Sequence, residues 1–236
     1  MDFKTYLKRL LTPTFTDAAC AAYNMEYFLY EYAEHLNLDP HKAIQEGPEK
    51  DHVRVYEKAI EKYNGKAEKV SDIARWRLLY PNIQTILDTR QTIREKDQDG
   101  SFLNGWEQSG ITLHEVDDSY FIPKKHGFRG LQLTFHVAVG KEPHIKQVKC
   151  ELQFLHEHMQ NTDRITHITY EEKRGLESKA KTKNRPLTAH EEAAINNYEK
   201  SIIALYEGDA ENYELYKLER QKEEPHYAPA YLIDPA

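Results

Sequence analysis

The first part of the chain repeats its apolar residues with the spacing of helices. Residues 2–11 and 17–36 each predict an amphipathic helix, and Pro13 predicts a break between them. A third helical pattern covers residues 51–63 and ends at Asn64-Gly65, a common stop signal. We therefore expect three helices before the first long strand.

From residue 73 the spacing changes to that of a strand. Residues 73–80 predict a strand that ends before Pro81, and residues 83–96 predict another helix. Three more strands follow, and a glycine-containing link suits a hairpin between the last two. These strands are predicted over residues 111–116, 131–139 and 145–154.

This order of elements predicts an α+β fold, a small mixed β-sheet flanked by helices. From about residue 163 the chain is charged and helical, with a flexible interruption over 179–186 and an extended tail rich in Pro and Tyr. A length of 236 residues suits one mid-sized domain with a helical appendage. We divide the chain into N-terminal helices (1–50), a central core (51–178), and a C-terminal helix and tail packed on that core (179–236).

The charge balance is acidic, since 32 Lys and Arg against 39 Asp and Glu give a net charge of −7. An acidic chain argues against sequence-independent coating of nucleic acid but allows a local basic pocket for a phosphorylated ligand. Cys20 and Cys150 are too few for a disulfide framework, so we expect reduced thiols. No window approaches the roughly 20 apolar residues that span a bilayer, which predicts a cytoplasmic protein without membrane contact.

Residues 119–136 are the most informative stretch: Ser-Tyr-Phe-Ile-Pro-Lys-Lys-His-Gly-Phe-Arg-Gly-Leu-Gln-Leu-Thr-Phe-His. A basic segment turns at Gly127 and enters the next predicted strand through Phe128 and Arg129. An aromatic ring can stack on a base, and a guanidinium can bind phosphate through two hydrogen bonds. Without further context, the same pattern fits a core phenylalanine beside a surface arginine.

Asp72 lies at the mouth of the strand predicted over residues 73–80, and Arg75 and Arg77 follow it. A carboxylate followed by arginines suits a site for Mg²⁺ and a triphosphate, because Mg²⁺ takes oxygen ligands and usually only one or two protein carboxylates. The alternative is a solvated strand start with an ion pair from Asp72 to Arg75 or Arg77.

Glu151 and Gln153 share one face of the last predicted strand, because side chains alternate along a strand. Cys150, Leu152 and Phe154 take the other face. The pattern alone also fits simple solvent exposure of the polar face.

Residues 119–136 resemble the Pro-Lys-x-x-Gly-Tyr-Arg-Ser-Leu-His element of the RelA/SpoT-like (alarmone synthetase) pyrophosphokinase domain. Asp72 and Glu151 fit two further elements of that family, Asp-Ile-x-Gly-x-Arg and Glu-x-Gln, in the same order along the chain. The long family members also carry a His-Asp hydrolase signature, which is absent here. The resemblance is therefore to a short single-domain or toxin-like member, with the core over 51–178 as its synthetase domain.

The resemblance implies a role for each matched residue. Asp72 and Glu151 would hold Mg²⁺, and Glu151 would also be the general base on the acceptor hydroxyl. Phe128, in place of the family's tyrosine, would stack on the acceptor base. The other positions implied to bind substrates are Arg77, Lys125, Arg129 and Gln153, together with the lysines of the ATP side, Lys62, Lys66 and Lys69.

Besides Phe128, other positions depart from the family pattern. Arg75 stands where many members have glycine, and Gln132 replaces the family's histidine. Leu155 and His156 stand where the family has Arg-Thr. The last three departures fall near the predicted acceptor, which makes an atypical acceptor plausible.

The reaction implied by the resemblance moves the β,γ-pyrophosphate of ATP onto the ribose 3′-hydroxyl of a nucleotide. GDP or GTP is the family default, which gives the alarmone of the stringent response, whereas an adenosine nucleotide or a tRNA 3′ end would give a toxin-like enzyme. A second hypothesis is a degenerate, catalytically inactive domain that binds nucleotide or a protein partner. A third, an unrelated α+β scaffold, would be supported if Asp72 and Glu151 lay far apart. A homo-oligomer or a neutralising partner protein stays open.

Overall fold

The structure, a computed structural model, describes residues 2–47, 50–97, 104–119, 124 and 127–212. Spatial proximity divides the chain into two compact units. The sheet unit comprises Met1–Asp117 and Leu131–Leu155, and the helical unit comprises Asp118–Gly130 and His156–Ala236.

The sheet unit carries helices α1–α5 and strands β1–β5 in its described residues. Their bounds are α1 Phe3–His35, α2 Pro40–Ala43, β1 Ile44–Glu46, α3 His52–Tyr63, β2 Ala74–Tyr80, α4 Ile83–Asp97, α5 Asn104–Gln108, β3 Ile111–Asp118, β4 Leu131–Val139 and β5 Lys146–His156. The elements predicted between residues 51 and 154 are confirmed, with ends that differ by at most two residues. The short elements α2, β1 and α5 were not predicted, because three to five residues carry little periodicity.

Helix α1 is one continuous helix, so the predicted break at Pro13 is wrong. A proline inside a helix removes one backbone hydrogen bond and costs about 3 kcal/mol. Here the same helical face is buried on both sides of the proline, at Leu7 and Leu11 before it and at Ala18 and Met25 after it. Burial of that face favours an uninterrupted helix over the local preference of proline.

Helix α3 begins and ends at the residues that the sequence marks. The carboxylate of Asp51 accepts hydrogen bonds from the backbone N–H groups of Val53 and Arg54, which caps the first turn. Asn64 (φ 52°) and Gly65 (φ 82°) take left-handed backbone conformations just after the last turn. The predicted stop at Asn64-Gly65 is confirmed.

The strands form a mixed five-stranded sheet in the order β1-β2-β5-β4-β3. Strands β4 and β5 pair antiparallel as the predicted hairpin, with Gln132 opposite Gln153 and Thr134 opposite Glu151. Strand β1 pairs antiparallel with β2. With helices packed on this sheet, the predicted α+β class is confirmed.

One face of the sheet packs against α1. The indole N–H of Trp76 in β2 donates to the carbonyl of Ala22 at 3.0 Å, and the alternating residues Cys150, Leu152 and Phe154 of β5 are buried. Full burial of a large apolar side chain contributes about 1.5–3 kcal/mol, so this face forms the core of the unit. Strand alternation then turns the intervening polar residues of β2 and β5 to the other face.

The helical unit contains α6 (Glu157–Thr182) and α7 (Ala189–Asn212), which pack against each other. Between them, the Tyr206 hydroxyl donates to the Asp163 carboxylate and accepts from the Thr166 hydroxyl, each at 3.2 Å. Tyr206 and Thr166 are buried, so this network fixes the pairing of the two helices.

The predicted interruption over residues 179–186 is shorter in the structure, because α6 runs through Ala180, which is buried. Asn184, with φ 46°, follows the end of α6. The domain limits predicted at residues 50 and 178 stay predictions. Within the described residues, no helix has both the length and the apolar character that a membrane span requires.

Candidate active site

Asp72 lies in the turn before β2 and is clamped by two lysines. Its Oδ1 lies 2.8 Å from Nζ of Lys58, on α3, and its Oδ2 lies 2.8 Å from Nζ of Lys50. Only 14% of the Asp72 side chain is exposed. Burial raises the pKa of this carboxyl, but the ion pairs and hydrogen bonds with Lys50 and Lys58 outweigh it and lower the pKa to about 2.

These contacts change the sequence interpretation of Asp72. The alternative of a solvated strand start is wrong, since the carboxylate is largely buried and is paired with lysines of α3 and of the segment before it. Asp72 is therefore a fixed, ionised carboxylate at neutral pH.

Glu151 lies at the centre of a hydrogen-bond chain on the polar face of the sheet. Nε of Arg77 in β2 donates to Oε1 of Gln153 at 3.0 Å, and Nε2 of Gln153 donates to Oε1 of Glu151 at 2.7 Å. Nε2 of Gln132 in β4 lies 3.4 Å from the same Glu151 oxygen. Three neighbouring strands thus orient one carboxylate, and two of these residues, Gln153 and Arg77, match the predicted site.

The pKa of Glu151 is raised, in contrast to that of Asp72. Burial is the main cause, and the negative charge of Asp72 adds to it, whereas Arg75, Gln153 and Lys58 act in the opposite direction. The two carboxylates are thus within electrostatic reach of each other. The assignment of both carboxylates to one site, which the resemblance implies, stays a prediction.

Arg75 belongs to this face as well, although the family pattern favours glycine at its position. The Arg75 side chain lies against Gly47, where an added Cβ would meet Nε of Arg75 at 2.5 Å. The backbone N–H of Gly47 donates to the Arg75 carbonyl at 2.7 Å. A glycine without a side chain therefore gives Arg75 its room beside the carboxylates.

Two residues of this site, Lys50 and Lys58, were missed by sequence reasoning. The predicted ATP-side lysines, Lys66 and Lys69, are exposed after α3. The helical phase of α3 could have indicated Lys58, because this residue lies three positions after the buried Val55 and therefore next to it on the helix surface. Lys50 carries no such signal, since it precedes the helix in an irregular segment.

The residues predicted to bind the acceptor lie in the helical unit. Phe128 is 6% exposed, its ring meets the Tyr206 ring edge to face at 6.2 Å between centroids, and Nζ of Lys124 lies 5.5 Å from its centroid. The alternative that made Phe128 a core residue is confirmed for Phe128, but it is wrong for Arg129, which it placed at the surface and which is 4% exposed. Lys125 lies outside the described residues. Base stacking by Phe128 and phosphate binding by Arg129 and Lys125 stay predictions.

Gly127 holds this segment close to α7. Its φ is +87°, and an added Cβ would lie 3.2 Å from Cα of Ile203 and 3.2 Å from Cβ of Tyr206. A side chain at this position would meet both the conformational and the steric penalty. The glycine turn predicted before Phe128 is thus confirmed, together with a reason for glycine there.

No protein-family model matches the chain, and no curated protein matches its sequence. Solved structures do resemble it. Small alarmone synthetase 1 from Bacillus subtilis, bound to its product pppGpp, is 15% identical, with 92% of this chain and 97% of that chain covered and a TM-score of 0.59. A GTP pyrophosphokinase family protein from Streptococcus pneumoniae is 13% identical, with 94% and 95% covered and a TM-score of 0.59.

Small alarmone synthetase 2 from Bacillus subtilis is 16% identical, with 85% of this chain and 97% of that chain covered and a TM-score of 0.51. Because the identities are this low, the structural likeness establishes the fold alone. The resemblance predicted from residues 119–136, Asp72 and Glu151 is confirmed at that level.

Proposed function

We propose that this chain, which has the fold of the RelA/SpoT-like synthetases, transfers the β,γ-pyrophosphate of ATP to the 3′-hydroxyl of a nucleotide acceptor. One observation carries the proposal: on the polar face of this sheet, the half-buried Glu151 accepts a hydrogen bond from Gln153 at 2.7 Å, and its pKa is raised by burial and by the ionised Asp72. Pairs of carboxylates whose pKa values are pushed apart are typical of sites that divide acid–base work from charge stabilisation.

Glu151 is proposed as the general base. A base is most effective when its pKa approaches the working pH, and burial with the charge of Asp72 raises the pKa of Glu151 from 4.5 in that direction. The amide of Gln153 donates to Oε1 of Glu151 at 2.7 Å, which fixes the orientation of the carboxylate that would accept the proton. Proton transfer of this kind contributes typically 10²–10⁴-fold to a rate.

Asp72 and Glu151 are proposed to bind Mg²⁺, and their chemistry fits this ion. Mg²⁺ binds through one or two protein carboxylates plus substrate phosphates, and in the described residues no set of three or more His, Cys, Asp or Glu side chains forms a metal site by itself. The mutual repulsion that helps to raise the pKa of Glu151 is the interaction that a shared cation relieves. When bound, Mg²⁺ neutralises charge on the bridging phosphate oxygens.

Lys50 and Lys58 are proposed to bind the phosphates of ATP. Each lies 2.8 Å from a carboxylate oxygen of Asp72. A triphosphate whose Mg²⁺ was held by Asp72 would therefore come within reach of both lysines. Arg75 and Arg77 extend the positive charge along β2 on the same face as Glu151. Lys66 and Lys69, both exposed, are proposed as weaker contacts on the ATP side.

A guanosine nucleotide is the proposed acceptor, and the acceptor-binding roles of Phe128, Arg129 and Lys125 stay predictions from the resemblance. The support is the likeness to small alarmone synthetase 1, whose structure holds the product pppGpp. Gln132 is proposed to influence which acceptor binds, because it replaces the family's histidine and its Nε2 lies 3.4 Å from the Glu151 carboxylate. An adenosine nucleotide and a tRNA 3′ end are the other acceptors to be tested.

The test is transfer of label from ATP labelled on its γ-phosphate, in the presence of Mg²⁺, to GDP, GTP, AMP, ADP or bulk tRNA in separate reactions. We expect label on a guanosine nucleotide, loss of transfer in Asp72→Asn and in Glu151→Gln, and normal transfer in Glu142→Gln, an exposed glutamate in the β4–β5 hairpin. Transfer to AMP, ADP or tRNA alone would keep the reaction and change the acceptor.

A catalytically inactive nucleotide-binding domain is the second candidate, because Lys50 and Lys58 already engage both oxygens of Asp72. A site neutralised in this way could hold a nucleotide without activating it. The signature is ATP binding by calorimetry with no transfer to any acceptor, and this result would overturn the proposed reaction.

A further inference from the structure

A second cationic cluster lies on the polar face of the sheet. The rings of His114 (β3) and His136 (β4) stack with 4.2 Å between centroids and 23° between planes. Lys149 of β5 stands directly opposite His136 in the strand register. Three adjacent strands therefore bring two imidazoles and an ammonium to one place, and the site proposed above uses none of them.

The groups of this cluster repel one another when they are charged. Burial, His114 and Lys149 together lower the pKa of His136. Burial and Lys149 lower the pKa of His114, while the neighbouring Glu115 acts in the opposite direction. Near neutral pH both imidazoles are therefore mainly uncharged, and Lys149 carries the positive charge.

We propose that His114, His136 and Lys149 form an anion site that binds a phosphate or pyrophosphate group. Lys149 supplies a positive charge with three N–H donors, and each imidazole adds a donor to an oxygen-rich anion. A bound anion offsets the repulsion among the three groups, so its binding draws protons onto the imidazoles. The ammonium of Lys149 disfavours a metal cation at the same two histidines.

The position of the cluster makes it reachable and relates it to Glu151. His114 is exposed, and His136 and Lys149 are half-buried. Lys149 and Glu151 lie on the same face of β5, and side chains two residues apart on a strand are about 6.8 Å apart. The anion can thus come from two sources of the same chemistry: a phosphate chain of a nucleotide bound at Glu151, or free pyrophosphate.

The test follows the imidazole resonances of the full chain by NMR as pH is varied, with and without pyrophosphate. Without ligand, His114 and His136 should both titrate below 6.5, the ordinary value of a histidine. Saturating pyrophosphate should raise both titration midpoints, because the bound anion favours the charged imidazoles.

Lys149→Gln and Lys141→Gln form a matched pair, since Lys141 is exposed in the same hairpin. Lys149→Gln should raise the ligand-free midpoints of both histidines and weaken pyrophosphate binding about tenfold, as loss of a charged hydrogen bond does. Lys141→Gln should change neither. The wild-type titration needs no variant, so it decides the proposal even where Lys149→Gln does not fold.

Nucleotide titrations distinguish the two sources of the anion. If a nucleotide shifts the His114 and His136 resonances and competes with pyrophosphate, the site binds the phosphate chain of that nucleotide. If the nucleotide and pyrophosphate bind simultaneously, the site binds a free anion. Unchanged midpoints at saturating pyrophosphate, or equal pyrophosphate affinity in wild type and Lys149→Gln, would overturn the anion site. The proposal does not rest on the pyrophosphate-transfer reaction, which the labelled-ATP assay tests separately.

Discussion

The turn before β2 and the middle of β5 each carry a carboxylate, and the surroundings shift the pKa values of these two groups in opposite directions. Asp72 has a lysine nitrogen 2.8 Å from each oxygen, and its pKa falls to about 2 although it is largely buried. Glu151 receives an amide hydrogen bond and feels cations only at longer range, and its pKa rises. Direct contact with a cation is what outweighs burial. The comparison separates a carboxylate suited to hold a metal from one suited to take a proton.

The largest expected effect is on activity. Glu151→Gln should lower kcat about 10²–10⁴-fold and change the KM for ATP less than Asp72→Asn does, because it removes the proposed base and one proposed Mg²⁺ ligand but leaves Lys50 and Lys58 in place. Asp72→Asn should change both constants, since it also releases Lys50 and Lys58. Steady-state kinetics of the transfer reaction measure this, with Glu142→Gln as the control. Equal kcat and KM changes in the two variants would contradict the division of roles.

The free energy of unfolding should change in opposite directions in Asp72→Asn and Glu151→Gln. The depressed pKa of Asp72 means that its contribution is complete above about pH 3.8 and is lost as pH falls toward about 2, and Asp72→Asn should cost about 2 kcal/mol at neutral pH. The raised pKa of Glu151 means that the folded state holds its proton more tightly. Its contribution to stability therefore falls as pH rises through the folded pKa, and Glu151→Gln should be more stable than wild type at neutral pH.

Urea denaturation at several pH values measures both changes in the free energy of unfolding. Glu142→Gln, at an exposed site, should stay within about 0.5 kcal/mol of wild type. A stabilised Asp72→Asn or a destabilised Glu151→Gln would contradict the lowered pKa of Asp72 or the raised pKa of Glu151.

The positions of these two carboxylates could largely be predicted from the sequence. Alternation places Glu151 and Gln153 on the face opposite Leu152, and Asp72 immediately precedes a recognisable strand. The contact of Lys50 with Asp72 was not predictable, because Lys50 lies 22 residues away in sequence in an irregular segment. The break expected at Pro13 failed for a related reason: local preference yielded to tertiary burial.

The pH dependence of the reaction should shift when Gln153 is changed. The Gln153 hydrogen bond lowers the pKa of Glu151, so Gln153→Leu should move the acidic limb of the kcat profile to higher pH. We expect a loss in kcat of about tenfold near neutral pH, since a charged hydrogen bond is removed. Gln147→Leu, at an exposed position on the same strand, is the control. An acidic limb that stays in place would contradict a role for Glu151 as the base.

The smallest effects should come from the exposed lysines. Lys58→Met should raise the KM for ATP about tenfold, because Lys58 contacts Asp72 directly. Lys66→Met and Lys69→Met should each raise it less than about threefold, since exposed charges are screened by solvent. Initial rates against ATP concentration distinguish the two groups. Larger effects at Lys66 or Lys69 would restore the ATP site predicted from the sequence alone.

The most direct test of the contrast is an NMR titration of the side-chain carboxyl carbons, with the signals assigned from Asp72→Asn and Glu151→Gln. We predict that Asp72 titrates near pH 2 and that Glu151 titrates above 4.5. Titration of Glu151 at or below 4.5, or of Asp72 at its ordinary 3.8 or higher, would contradict the assignment of metal ligand and general base to these two residues.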